Sequence, residues 1–285
     1  MAALQLAWAT NSTSLFQEAE NYYNKFKLGG QNGAFNWDSK TPGLAVLFAQ
    51  IISSSDLGGN LASWKAEAER YFDHIINNQG PAYTTKGGLL FYPGDSDDAS
   101  INPALNAAML LTRYSPLATS EEKRVAYLKF AQSQIDYVLG NNPMHVPYVV
   151  GSHPNSPANP HSAMASGGDD INNINTSPPT EAYVLYGAVI GGPDNRDRYF
   201  DIRSDWPETE VALDYNAPML TLAAMHALND TDDPFFTSLE VGPTLSKGAK
   251  IAIGIIVTVV GILIIALIVW YIRTLKGGNC SEQAT

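Results

Sequence analysis

The sequence predicts an all-α protein: a layered helical toroid or barrel over residues 1–232, a stalk at 233–249, a transmembrane helix at 250–272 and a short tail at 273–285. Three observations carry this. Apolar residues recur at helical spacing in at least six stretches, with few of the alternating runs that strands need. Those stretches alternate between nearly all-apolar and amphipathic character, as inner and outer layers of helices require. Finally, Ile251 to Ile272 is a run of 22 residues without a charge.

The elements follow in order. LFQEAENYYNKFKL (15–28) places Leu15, Ala19, Tyr22, Tyr23 and Phe26 on one face, with Gly29-Gly30 as a stop. TPGLAVLFAQIISS (41–54) has Thr41 as N-cap and Pro42 at the first helical position, and its apolar body predicts an inner helix. LASWKAEAERYFDHIINN (61–78) is amphipathic through Leu61, Trp64, Ala68, Tyr71, Phe72 and Ile75. NPALNAAMLLTRYS (102–115) begins with an Asn102-Pro103 cap pattern, and SEEKRVAYLKFAQSQIDYVLG (120–140) is a long amphipathic helix stopped by Gly140. DYNAPMLTLAAMHAL (214–228) is the last before the stalk. The long loop 141–179 is rich in Pro, Asn, Gly and Ser, and loops of that length in a compact domain are usually functional.

At about 1.5 Å per residue, the run from Ile251 to Ile272 reaches roughly 33 Å, enough for a hydrocarbon core of about 30 Å. Trp270 and Tyr271 would sit at one interface. Membrane lipid is therefore an expected partner. Lys247 and Lys250 before the run balance Arg273 and Lys276 after it, so charge does not set the orientation. The N-terminal stretch lacks the basic region and apolar length of a signal peptide. The single cysteine, Cys280, excludes an intrachain disulfide and a Cys-based zinc site, and lies where palmitoylation is conceivable.

A formal charge of −11 argues against nucleic acid as a partner and favours a neutral or cationic one. Two stretches concentrate acid–base groups. YVVGSHPNSPANPHSAMASGG (148–168) holds His153 and His161, each able to bond a sugar hydroxyl, to act as acid or base, or simply to hold a loop. GGPDNRDRYFDIRSDWPETEVALDYNA (191–217) gathers Asp194, Asp197, Asp201, Asp205, Glu208 and Glu210. Glycosidic chemistry needs two carboxyl groups across the scissile bond. From spacing alone, though, a Ca²⁺ loop or a solvated acidic loop fits equally well.

At these residues the sequence resembles the catalytic domain of glycoside hydrolase family 9. Tyr199-x-Asp201, Trp206, Glu210-x-Ala212 and Asn216-Ala217 match the family's C-terminal active-site signature. GAVIGGPDNRDRY (187–199), DYVLGNNPMHVPYVVG (136–151), AENYYNKF, FNWDSKTPGLAVL (35–47) and GGLLFY (87–92) stand in the family's order, so the likeness covers residues 1 to about 230. It implies the C-terminal portion of an (α/α)6 barrel that hydrolyses internal β-1,4-glucosidic bonds in cellulose-like glucans with inversion and without a cofactor or metal. Ca²⁺ at the 191–201 loop is the one exception entertained. Glu210 would be the general acid, Asp201 would hold the loop with Arg203 as its partner, and Tyr215 and His161 would contact the sugar.

Two departures matter. The family's histidine is followed two positions later by Arg, whereas here the sequence is His161-Ser162-Ala163. The family's base lies in an Asp-Ala-Gly-Asp type motif, which this sequence lacks, and Asp95, Asp97 and Asp98 in GDSDDAS (94–100) read as a solvated turn. The expectation is therefore a C-terminal portion, inactive alone, whose complete form is a single-pass membrane enzyme with an extracellular domain and a cytosolic tail. A non-catalytic, membrane-tethered glycan-binding or scaffold protein is the alternative.

Overall fold

The structure is a computed structural model that describes residues 1–229 and 256–270. The chain divides into two compact units, Met1–Leu239 and Glu240–Thr285. The first is mainly helical: α1 (Ala2–Thr10), α2 (Thr13–Lys25), α3 (Gly43–Ser54), α4 (Leu61–Ile76), α5 (Ile101–Tyr114), α6 (Glu121–Val138), the short α7 (Ala163–Ser166) and α8 (Trp206–Thr209), and α9 (Leu213–Asn229). Between α4 and α5 lies a two-stranded antiparallel ribbon, β1 (Tyr83–Thr84) with β2 (Leu90–Phe91), an addition to the all-α expectation. Helix α1 was not anticipated, and the loop 141–179 contains α7 and a 3-10 turn at Ile171–Asn173.

Helices pack as sequential pairs, α1 with α2, α3 with α4 and α5 with α6, while α5 also packs against α3 and α9. Layering follows the predicted split in character. In α3 all residues from Gly43 to Ala49 are buried, and α5 is buried over most of its length, whereas α4 and α6 bury one face each. Aromatic rings join the layers: Phe48 of α3 stacks on Trp64 of α4 at 3.9 Å, and Phe72 of α4 meets Tyr114 of α5 and Tyr127 of α6, both at 5.4 Å. Such contacts contribute about 0.5–1.5 kcal/mol each beyond their burial.

The helix ends show which local signals governed. Ser120 and Asn60 cap α6 and α4 by accepting from Lys123 N and Ser63 N. Helix α2 stops before the predicted glycines, because Lys27 already takes the left-handed conformation at φ 51°. Pro42, rather than Thr41, is the N-cap of α3. Asn102 does not cap α5, which starts at Ile101. It is buried in the first turn, where its amide donates to the Asp214 carbonyl at 3.0 Å and carboxylate at 2.8 Å, fastening α5 to α9. Pro218 lies inside α9.

In the second unit, residues 256–270 are helical, and the rest of the predicted span lies outside the described residues. Among the described residues no helix is long and apolar enough to cross a membrane. The stalk, the tail and Cys280 also lie outside them.

Candidate active site

The segment 191–217 is held in place before it presents any chemistry. Asp197, 4% exposed, accepts from Thr85 Oγ1 (2.6 Å), Gly87 N (2.8 Å) and Tyr137 Oη (2.7 Å), which anchors the segment to the β1–β2 turn and to α6. Gly87 is required there, since a Cβ would stand 2.6 Å from Asp197 Oδ1. Asp194 accepts from the backbone of Arg196 and Arg198 and from the Arg198 guanidinium; burial pushes its carboxyl up, but these donors outweigh it and hold it below its ordinary value. These two acids are thus structural. Among the described residues no group of three or more His, Cys, Asp or Glu is arranged to hold a metal ion.

Asp201 fastens the long loop. Its carboxylate accepts from Ala158 N, Asn159 N, Asn159 Nδ2 and Tyr199 Oη at 2.9–3.1 Å. Arg203 is not its partner, contrary to the sequence expectation. The guanidinium is buried, makes a 2.9 Å ion pair with Glu181, and donates to the carbonyls of Ile174 and Pro178. Burial pushes the Glu181 carboxyl up against the opposing pull of Arg203. Position 181 carries no acid–base motif of its own, so sequence gave no signal for it.

Glu208 is buried and accepts from Phe200 N at 2.6 Å, and its carbonyl accepts from Gly192 N. Burial pushes its carboxyl up to about 7. The backbone of Gly191 passes so close to α8 that a Cβ would lie 2.1 Å from the Pro207 carbonyl oxygen. Glu210 follows α8 in extended conformation, at φ −59° and ψ 145°. Its neighbour Thr209 accepts from His161 N at 2.8 Å, and His161 and Glu210 form a parallel bridge.

Glu210 lies in the wall of a cavity of about 440 Å³. Tyr215 and Trp206 share its side of the cavity in sequence; Asn36, Trp37 and Asp38, then Gly94, Asp95, Asp98 and Ala99, and Asn102 and Pro103 of α5 supply the rest. Tyr215 Oη donates to Glu210 Oε2 at 2.9 Å. Burial, followed by the bond to Glu210, pushes the phenol pKa up, so Tyr215 stays a neutral donor. Trp37 is 72% exposed and Trp206 46%, two flat apolar faces at the cavity with room for a ligand.

Of the residues singled out from sequence, then, Glu210 and Tyr215 share one cavity, and Asp201 shapes the loop beside it. His161 is tied to the same backbone but its ring lines a different cavity, of about 290 Å³, with Ser166, Asp169 and Asp170 among its walls. Its Nδ1 lies 2.6 Å from the Arg203 carbonyl, which can only accept; the neutral ring therefore carries its proton on Nδ1 and leaves Nε2 as an acceptor. His153 is a loop residue: its Nδ1 accepts from Asn155 N within its own turn. The turn 94–100 was set aside as solvated, and Asp95 and Asp98 are exposed, yet both line the cavity of Glu210. An exposed tryptophan between polar residues, as in FNWDSK, was the one local signal that could have located that wall.

The sequence profile of glycosyl hydrolase family 9 matches residues 1–223. An endoglucanase of Dictyostelium discoideum is 34% identical over 213 residues, covering 73% of this chain and 27% of the relative. Endoglucanase A of Bacillus pumilus is 42% identical over 185 residues, covering 64% and 27%. Among solved structures, the endoglucanase of the termite Nasutitermes takasagoensis superposes with a TM-score of 0.65 at 35% identity, over 80% of this chain and 49% of that one. Endoglucanase CelQ of Clostridium thermocellum, solved with cellobiose and cellotriose, gives a TM-score of 0.68 at 29% identity, over 83% and 40%. The chain spans about a quarter of the two curated relatives and less than half of the two solved chains.

Proposed function

Since the chain belongs to glycosyl hydrolase family 9, we propose that it serves the hydrolysis of internal β-1,4-glucosidic bonds in cellulose-like glucans, with Glu210 as the acid that protonates the departing glycosidic oxygen. One observation carries the reading: Glu210 stands in a cavity flanked by two exposed tryptophans and is held at 2.9 Å by a neutral tyrosine hydroxyl. A sugar ring has flat C–H faces that stack on indole, and hydroxyls that the exposed cavity acids Asp38, Asp95 and Asp98 can bond. The endoglucanase relatives and the cello-oligosaccharides bound to CelQ support the same substrate class. A net charge of −11 suits a neutral glucan better than a polyanion.

In this reading Tyr215 fixes the Glu210 rotamer, and Asp201 keeps the 158–159 loop in register with the signature. His161 offers Nε2 to a sugar hydroxyl from the neighbouring stretch of backbone. The reaction is proton transfer and attack by water, so it requires two carboxyl groups and no cofactor. The family's Asp-Ala-Gly-Asp type base motif is absent from the sequence. The uncharged run 251–272 supports a membrane tether, a reading that rests on sequence alone.

The test is Glu210→Gln in the chain joined to a family 9 segment that carries the Asp-Ala-Gly-Asp type base motif. Reducing-end release from cellopentaose should fall by about 10²–10⁴-fold while calorimetric affinity stays within about threefold. Retained turnover removes Glu210 as the acid. Binding without turnover, even when a segment carrying the Asp-Ala-Gly-Asp type base motif is supplied, favours a non-catalytic glycan-binding or scaffold role.

A further inference from the structure

Arg203 is used at both of its ends. Its side chain is buried and does not line the His161 cavity, while its carbonyl stands 2.6 Å from His161 Nδ1. We propose that Arg203 is a positioning residue for sugar binding: paired with Glu181, it holds its own carbonyl where it fixes the His161 tautomer, so that Nε2 remains an acceptor for a sugar hydroxyl at that cavity of about 290 Å³.

The guanidinium gathers segments that are far apart in the chain. Nη1 donates to the carbonyls of Ile174 and Pro178, both at 2.9 Å, and Nε pairs with Glu181 at 2.9 Å. Asn159 Oδ1 accepts from Nε and Nη2 at 3.4 Å, while its Nδ2 is spent on Asp201. A buried cation needs a counter-charge, and several acceptors around one planar fork call for Arg rather than Lys. Glu181 has no competing engagement. Its side chain is 5% exposed, and neither carboxylate oxygen accepts another hydrogen bond among the described residues.

The gathered segments run on into the cavity wall. Ile174 and Ser177 line it, and Ala182 N and Tyr183 N, which follow Glu181, donate to the Ser166 and Ala165 carbonyls of α7 at 3.2 and 3.0 Å; Ser166 is in the wall as well. His161 closes the circuit, tied through its N to the Thr209 carbonyl and through its ring to the Arg203 carbonyl. Displacing the guanidinium therefore moves the acceptor on which the Nδ1 proton depends. The same turn has a second tie, Asn175 to Ser204, with Nδ2 donating to Oγ at 2.8 Å and Oδ1 accepting from N at 2.9 Å. That tie keeps the turn in place when the first is weakened.

A direct sugar contact is the competing role, since the family places an arginine two positions after its histidine and this chain has Ala163 there. Burial decides against it. The guanidinium ends behind the wall, and Ala163 rather than Arg203 borders the cavity. Its effect on a sugar is transmitted through His161. A neutral imidazole accepts only at the nitrogen that carries no hydrogen, so losing the Arg203 carbonyl as the partner of Nδ1 turns Nε2 from an acceptor into a donor in part of the molecules.

This inference rests on the glucan reading for its ligand, and the experiment has one arm that does not. The full chain, Arg203→Lys and Glu181→Gln are compared by two-bond ¹H–¹⁵N correlation spectra of the His161 ring and by calorimetric affinity for cellopentaose. The parent should show one tautomer, protonated on Nδ1, with an Nε2 resonance that moves upfield as cellopentaose binds. Arg203→Lys, which keeps the charge and loses the fork, should populate both tautomers and bind about tenfold more weakly; Glu181→Gln should bind about threefold more weakly. Affinity within about twofold of the parent in both variants overturns the positioning role, as does a His161 spectrum identical to the parent's, and either result leaves the glucan reading intact. If Arg203→Lys does not fold, Glu181→Gln decides by the same two readings. A parent that does not bind cellopentaose overturns the glucan reading itself, and the spectra then decide whether Arg203 fixes His161.

Discussion

The two walls of the Glu210 cavity are built in opposite ways. The 191–217 wall is tied at almost every polar group: Asp197 to the ribbon and α6, Asp201 to the 158–159 backbone, Glu208 to Phe200 N, and Asn216 Oδ1 to Val189 N. The 36–38 and 94–98 wall consists of turns that expose Trp37, Asp38, Asp95 and Asp98 around the buried Asn36 and Ser96. A catalytic acid must be aimed to within a fraction of an ångström, which favours a locked wall. A surface that meets sugar and water has to keep hydrogen-bonding and stacking capacity unspent. In the proposed reading, rigidity thus lies on the side of the acid, and exposed side chains on the side that would meet the ligand.

That contrast can be broken from the locked side first. Asp197→Ala leaves the buried Thr85 and Tyr137 hydroxyls and the half-buried Gly87 N without their acceptor. It should cost about 3 kcal/mol or more of stability, seen as a lower denaturant midpoint at unchanged slope. A change under about 1 kcal/mol would mean that the wall is not anchored through Asp197.

Next comes Glu208, whose carboxyl burial pushes up from 4.5 to about 7. The folded state then holds a proton that the unfolded chain has released, so this group's contribution to stability is full below about pH 4.5 and is lost as pH rises to about 7. The loss should be on the order of 2–3 kcal/mol. Chemical denaturation at pH 5 and pH 7.5 should show it, and Glu208→Gln, whose amide oxygen can still accept from Phe200 N, should flatten the difference. A parent protein equally stable at both values would contradict the burial argument.

The smallest effect belongs to the open wall. Trp37→Ala should leave stability within about 0.5 kcal/mol. Cello-oligosaccharide binding should weaken by about 1 kcal/mol, roughly fivefold, from the lost stacking face. If stability falls and affinity does not, Trp37 is a packing residue.

The same division decided what was legible in advance. The locked wall is encoded by a contiguous signature, so Glu210, Asp201 and Tyr215 were singled out through the family resemblance it carries, and the periodicity of α3 to α6 exposed the layered helices. What escaped was made by contacts distant in sequence. The acids of 191–217 looked alike on the page, and only the fold separates Asp197, bonded to Thr85 across 112 positions, from Glu210, which faces the cavity. Arg203 seemed paired with the acid two residues away, but it lies in a turn, the Asp201 carboxylate is taken up by the 158–159 backbone, and Glu181 reaches the guanidinium. Asp98 looked solvated because it is; exposure alone does not say which cavity an exposed group borders.

Asn102 and Pro218 have a further consequence. A proline within a helix has no N–H for the carbonyl four residues earlier, and in α9 that carbonyl is Asp214. The Asn102 side chain supplies the missing donor at 3.0 Å, from 112 positions upstream. The last helix is therefore incomplete as a hydrogen-bonded ladder until α5 is beside it, and its missing rung doubles as an index mark: the helix that begins three residues after Glu210 can register against only one turn of its neighbour.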